Sequence, residues 1–289
     1  MNNDEFAEFF KNKGKRVVKT ASGYWYEPHL FCFQNIPYHQ AINPNKRELR
    51  DLFFKHRAML VRFNAIANEK TFPGYIWICD QKNYNFAHLE TKTRNQTRRG
   101  LEYNQVKKID FDLIMQNGWE FIHDTAQRQG READFATPEA WVRYCKAAAG
   151  NPDFEAWGAF VQEQLVSFLV GATIGDYYWI LRQYSETAYL KHYPNNALIY
   201  IVTKSKLAEP AINKVSYGLD SVENTGGLNK FKQGMGFSRQ EYHQKILINP
   251  MFKWMKSKII KLVMRHVSNI SPRSNYLKKT NAIINLISA

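Results

Sequence analysis

Cysteine is scarce in this chain. Its three copies, Cys32, Cys79 and Cys145, lie far apart and outside any CxxC spacing. That excludes a disulfide-built scaffold and a zinc ribbon, and leaves reduced, partly buried thiols as the expectation. Long apolar runs are missing as well, so no transmembrane helix is expected. Asp4 and Glu5 stand where a signal peptide would be basic, and no apolar stretch follows them. A cytoplasmic protein is therefore expected. The histidines are scattered without HxxxH or HxH spacing, which argues against a metal site, and no GxSxG elbow supports a serine nucleophile. Acidic residues are absent from one long segment, Pro250 to Ala289.

What is present is positive charge, apolar mass and aromatic rings. The 289 residues carry a net +14, which points to an anionic partner: nucleic acid, a phosphorylated cofactor or an acidic membrane. A hydrophobic content of 44% and an aromatic content of 15% suffice for a sizeable core. The segment from Pro250 onward supplies +8 of the +14 through Lys253, Lys256, Lys258, Lys261, Arg265, Arg273, Lys278 and Lys279, so the body is only mildly basic. On a helical wheel Met251, Phe252, Met255, Ile259 and Leu262 share a face, flanked by Lys258, Lys261 and Arg265, with Trp254 close by. Two readings fit such a basic amphipathic helix: it lies on anionic lipid, at the inner face of a membrane, or it docks on its own domain or a partner.

The rhythm of the chain predicts an α/β protein. Phe6, Phe9 and Phe10 suggest an opening helix, followed by extended segments at Tyr24–Tyr26 and Leu30–Phe33. Met59–Phe63 and Tyr75–Cys79 have strand composition. Helices are predicted over 89–101, 111–129 and 138–149, with a strand at 105–110 between the first two; Trp141, Tyr144 and Cys145 define one helical face. Gly150-Asn151-Pro152 breaks the chain, and a domain boundary is placed there. Beyond it come strands at 155–161, 165–174 and 177–184, a helix at 195–207, a strand at 214–219, a helix at 228–233 and a strand at 242–248. That order predicts a mixed sheet with helices on its faces.

Three stretches carry a family resemblance: Lys92-Thr-Arg94-Asn-Gln-Thr-Arg98-Arg99; Gly158–Val161 with Leu165–Gly171; and Tyr193-Pro194-Asn195-Asn196-Ala197-Leu198 with Phe231-Lys232 and Gly234-Met235-Gly236-Phe237. Together they resemble the GNAT superfamily of acyltransferases, in particular its Fem-like branch, in which two GNAT-type halves share one chain. The likeness covers about residues 55–249. It implies a GNAT-like mixed-sheet fold with an N-terminal, abbreviated half (1–150), a catalytic half (151–249) and a basic tail (250–289). It also implies an N-acyltransferase that moves an acyl group from acyl-CoA to an amine, such as an amino sugar or a cell-envelope precursor. One alternative is an aminoacyl-tRNA-dependent peptidyltransferase of cell-wall precursors; another is a non-catalytic GNAT-like scaffold. No metal is implied.

The resemblance implies roles for particular residues. Lys232, of the Phe231-Lys232 pair, would face the reacting carbonyl or a phosphate and stabilise oxyanion charge; the bland reading has Phe231 in the core and Lys232 in solvent. Tyr217 could hydrogen-bond the donor or protonate a leaving group. Tyr184 and Glu186 are candidates to accept the amine proton. The turn before the cofactor helix reads Tyr193-Pro194-Asn195-Asn196, without the family's glycines, and any anion would have to sit on the N–H groups of Asn195, Asn196 and Ala197. Arg94, Arg98 and Arg99 could grip a polyanion such as tRNA, though a solvated helix face is the commoner use of such a cluster.

Overall fold

The computed structural model describes residues 1–67, 71–220 and 226–251. Helix α1 (Asn3–Asn12) leads to strands β1 (Val17–Thr20), β2 (Gly23–His29) and β3 (Cys32–Ile36). Helix α2 (Lys46–Arg50), continued by a π-turn over Asp51–Lys55, precedes β4 (Leu60–Asn64) and β5 (Phe72–Cys79). Next come α3 (Thr91–Tyr103), β6 (Gln105–Ile109), α4 (Phe111–Arg128) and α5 (Pro138–Ala149). Strands β7 (Phe154–Val161), β8 (Gln164–Ile174) and β9 (Tyr177–Ser185) follow as a meander. Helix α6 (Pro194–Ala208), strand β10 (Lys214–Leu219), helix α7 (Gly226–Gly234) and strand β11 (Ser238–Ile248) complete the order that the sequence predicts.

These elements form two compact units, each discontinuous in sequence. The first holds Met1–Glu5, Tyr75–Asp220 and the described residues up to Gln240. Its strands run in the order β5-β10-β9-β8-β7-β6, with β9 and β10 parallel and the other neighbours antiparallel. β8 is buried almost throughout, because its unbroken apolar run is covered on both faces. On one side α6 packs on β7 and β8, burying Leu198, Ile199 and Val202 against Val166 and Leu169. On the other, Phe121 of α4 and Trp141 of α5 meet Phe168 of β8, and the indole N–H of Trp141 donates to the Ile114 carbonyl at 2.8 Å. The face predicted for α5 is the one it buries: Trp141, Tyr144 and Cys145 are all in the core.

The compact units do not divide at residue 150. β6 pairs with β7 across that point, from Gln105↔Phe160 to Ile109↔Ala156. The Gly150-Asn151-Pro152 break is a tight turn inside one unit, closed by the Asn151 side chain accepting from the Asp153 N–H at 2.9 Å.

The second unit holds Phe6–Gly74 and the described residues from Glu241 to Met251. Its strand order is β1-β2-β3-β4-β11, with β3 and β4 parallel, around a core of Trp25, Phe33, Leu52, Val61 and Phe63. Asn45 caps α2 in a reciprocal arrangement with Glu48, the spacing of a capping box. One sequence expectation needs correction here. Leu30 and Phe31 are not strand residues: His29 pairs with Cys32, so these two form the turn itself. The tail expected to form an amphipathic helix lies, from Phe252 on, outside the described residues.

Gly171 marks a close approach within the first unit. A Cβ there would stand 2.2 Å from the hydroxyl of Tyr178, a fully buried side chain with no room to yield. We expect Gly171→Ala to destabilise the protein by about 2 kcal/mol or more, read as a lowered urea midpoint. An unchanged midpoint would mean that this contact relaxes freely.

Candidate functional site

The parallel pairing of β9 and β10 lasts for three residue pairs, Lys214↔Tyr177, Val215↔Tyr178 and Ser216↔Trp179, and then stops. Two irregularities help to part the strands. A bulge between β8 and β9 leaves Leu181 out of register. A register shift against β5 falls at Tyr217-Gly218, where Gly218 takes φ +79, a conformation suited to glycine. The gap opens into a cleft of about 370 Å³ lined by Ile180, Leu181, Arg182, Gln183 and Ser185 of β9, by Tyr217 and Gly218, by Leu228, Phe231 and Lys232 of α7, by Asn195, and by Thr125, Arg128, Gln129 and Arg131 at and just beyond the end of α4.

Side chains bridge the gap between the parted strands by hydrogen bonding to one another. The Tyr217 hydroxyl donates to the Gln183 side-chain oxygen. The Gln183 amide donates to Asn195 Oδ1 at 3.0 Å, and Asn195 Nδ2 donates to Ser185 Oγ at 3.0 Å. Arg128 closes the chain by donating to Ser185 Oγ at 3.1 Å and Thr187 Oγ1 at 2.7 Å. This relay ties β10, β9, α6 and α4 together through neutral acceptors alone.

The lining is cationic. Arg128, Arg131, Arg182 and Lys232 face the cleft, and no carboxylate lines it among the described residues. Asp134 stands behind: burial works against its charge, but Arg182, Arg131 and the Tyr184 hydroxyl outweigh that and hold its carboxyl below the usual range. Burial lowers the basicity of Arg128, and Asp124 partly restores it.

Lys232 is the exceptional group. It is 4% exposed and makes no hydrogen bond or ion pair with a described residue. Its Nζ lies over the rings of Tyr217 at 5.0 Å and Trp77 at 5.7 Å. Burial pushes its pKa down to about 8, against the attraction of Asp220. The buried Lys206, by contrast, meets Glu155 at 2.7 Å and Glu209 at 2.9 Å. A lysine held nearly dry and without a close counter-charge is poised to meet negative charge arriving from outside.

The structure therefore gathers Lys232, Phe231, Tyr217 and Asn195 at one cleft. Burial raises the pKa of Tyr217, so its hydroxyl is a donor and not a base. Tyr184 stands elsewhere. Its side chain points into the aromatic core beside Phe168 and Trp141, its hydroxyl donates to Asp134 at 2.7 Å, and burial raises its pKa well above the ordinary value. It cannot accept an amine proton there. Glu186 lies outside the lining, its pKa raised by burial and by Asp124 and Glu120.

The start of α6 also differs from expectation. Ala197 is fully buried and its N–H is not free, donating to the Tyr193 carbonyl at 3.2 Å. Asn196 is buried, Pro194 has no N–H, and a Cβ on Gly100 of α3 would come within 2.7 Å of that same carbonyl. Of the three N–H groups expected to meet an anion, that of Ala197 is therefore already taken within the helix. Arg98 and Arg99 cover the rings of Phe86 and Tyr193, Arg94 donates to the Leu89 carbonyl, and none of the three lines the cleft.

Gln183, Ser185, Arg128, Arg131 and Arg182 went unrecognised in the sequence. One signal was available: Arg182-Gln183 interrupts an otherwise apolar strand.

A mixed sheet whose parallel central strands splay over a helix-covered core is the GNAT-like arrangement, and this chain has that fold in its Fem-type double form. Among solved structures it is similar to FemX, with a TM-score of 0.62 at 12% identity, covering 88% of this chain and 93% of that one. It is similar to L-PGS from Bacillus licheniformis, with a TM-score of 0.57 at 12% identity over 88% and 89%. A C-terminal domain from Agrobacterium fabrum, from a protein named as a lysylphosphatidylglycerol synthetase, gives 0.55 at 9% identity over 83% and 86%. No family model matches the sequence, and no curated protein matches it. Among the described residues, no cluster of three or more His, Cys, Asp or Glu is placed to hold a metal, and no helix is long and apolar enough to cross a membrane.

Lys232 yields a stability prediction. Its folded pKa of about 8 lies below the ordinary 10.5. Between these values the unfolded chain binds more protons, so stability should rise with pH from about 8 to 10.5. We expect Lys232→Met to stabilise the protein by roughly 2–3 kcal/mol at pH 7 and to flatten that rise. Melting temperatures across this pH range test both effects; a destabilised variant would refute the uncompensated charge.

Proposed function

We propose that this protein transfers an acyl or aminoacyl group from an activated ester or thioester to the amine of an acceptor bearing a negatively charged group. The carrying observation is Lys232, a buried ammonium at a cleft lined by three arginines and, among the described residues, no carboxylate. The amine attacks the carbonyl carbon, a C–N bond forms, and the carbonyl electron pair moves onto oxygen. The Lys232 ammonium faces that oxyanion, and its low hydration makes the attraction strong. Collapse of the intermediate breaks the C–O or C–S bond; the amine's proton leaves through water to the departing group. Tyr217, its proton held by Gln183, offers its hydroxyl oxygen to accept a hydrogen bond from an N–H of the substrate. Phe231 forms an apolar wall.

For the donor, the start of α6 favours an aminoacyl ester, as in charged tRNA, over coenzyme A, because the Ala197 N–H expected to meet the pyrophosphate is already bonded. Proteins named FemX and lysylphosphatidylglycerol synthetase share the fold, and the second name describes an amino acid joined to an anionic lipid. The arginines suit a phosphate or carboxylate on the acceptor. The site draws residues from both sides of position 150, all of them within the first compact unit.

With aminoacyl-tRNA and an anionic amine as substrates, Lys232→Ala should lower kcat/KM by about 10²–10³-fold, and Tyr217→Phe by a smaller factor. Activity that needs the ammonium should fall as pH rises through about 8. Equal turnover by Lys232→Ala would remove it from the reaction. Consumption of acyl-CoA in preference to charged tRNA would reverse the donor assignment, and no turnover of either would leave a binding scaffold.

A further inference from the structure

The second unit carries an unusual turn. β2 and β3 are joined by two residues, Leu30 and Phe31, where such hairpins favour Asn-Gly because the backbone turns left-handed. Phe31 adopts φ 62, a strained conformation for a bulky residue. Leu30 and Phe31 are 67% and 36% exposed, so the strained turn presents apolar surface to solvent.

Hydrogen bonds bring other exposed apolar residues to the same end. The Phe31 carbonyl accepts from the N–H groups of Met59 and Leu60 at 2.8 and 3.2 Å. Asn249 donates to the Met59 carbonyl through its backbone and to the Phe53 and Ala58 carbonyls through its side chain, whose oxygen accepts from the Met251 N–H. Phe54, Met59 and Met251 are 52%, 39% and 61% exposed. Lys15, Arg16, Lys55 and Arg57, all exposed, stand around them. Lys15 reaches the Pro28 carbonyl at 3.2 Å and Arg16 the His56 carbonyl at 2.9 Å. The acids of these segments, Glu27 and Asp51, are half-buried, and Glu27 is turned back onto the Phe31 N–H. From Met251 the chain continues into the segment with eight Lys and Arg and no Asp or Glu.

We propose that this end of the unit docks on an anionic lipid bilayer. Leu30, Phe31, Phe54, Met59 and Met251 enter the headgroup boundary while Lys15, Arg16, Lys55 and Arg57 meet lipid phosphates. The basic rim selects this occupant, since a second copy would bring two such rims into opposition. The surface is independent of the transfer reaction, and its test reads binding alone.

The full-length protein is sedimented with vesicles of phosphatidylcholine, or of phosphatidylcholine with added phosphatidylglycerol. Pelleting is expected with the anionic vesicles only, weakening with salt. Leu30→Glu with Phe31→Gly should lower the partition coefficient at least about tenfold. Its melting temperature should hold or rise, because glycine relieves the φ of 62. Lys55→Glu with Arg57→Glu should cost about fivefold for each basic residue lost. Unchanged binding by both variants would place all the affinity in the tail and overturn the surface. So would equal pelleting with neutral vesicles, no pelleting at all, or a dimer that the Leu30 and Phe31 changes disperse.

Discussion

The early end of the β9–β10 pairing is the constraint on which this site depends. The two strands part after Ser216↔Trp179. A side-chain relay from Tyr217 through Gln183, Asn195 and Ser185 to Arg128 spans the gap and ties the cleft walls together. Asn195 is its central member. At the N-terminus of the helix that holds the cofactor in a GNAT, this chain has a side-chain strut, and the Ala197 N–H beside it is already bonded.

Two buried lysines in one unit show how environment assigns a role. Lys206 meets two carboxylates and serves the packing of α6. Lys232 is buried to a similar degree with only ring faces nearby and Asp220 further off. Retaining a charge with no ion-pair partner among the described residues lowers stability, and that cost is the observation on which the proposed role of Lys232 rests. The arginines of α4 and β9 extend the same field along the cleft and suit an acceptor that is itself an anion.

The fold was largely legible. The long apolar strands, the Pro138 start of α5 and the Gly234-Met235-Gly236 stop of α7 follow from local periodicity and turn chemistry, and their boundaries agree within a few residues. The division at residue 150 misled, because a Gly-Asn-Pro turn looks the same inside a unit as between two. Leu30 and Phe31 misled as well: apolar composition suggests a strand, while the pairing of His29 with Cys32 makes them a turn.

Sequence alone determined the class of architecture, the overall basicity, the acid-free tail and the candidacy of Lys232 and Tyr217. These depend on composition and on contacts close along the chain. Tertiary structure decided which candidates share a cleft. It turned Tyr184 inward, although Gln183 and Ser185 on either side line the cleft, and it brought Arg128 from more than fifty residues away. It also closed the start of α6 beneath α3. Side-chain direction at a bulged, splayed strand and burial by distant helices are set by long-range packing, which local sequence does not encode.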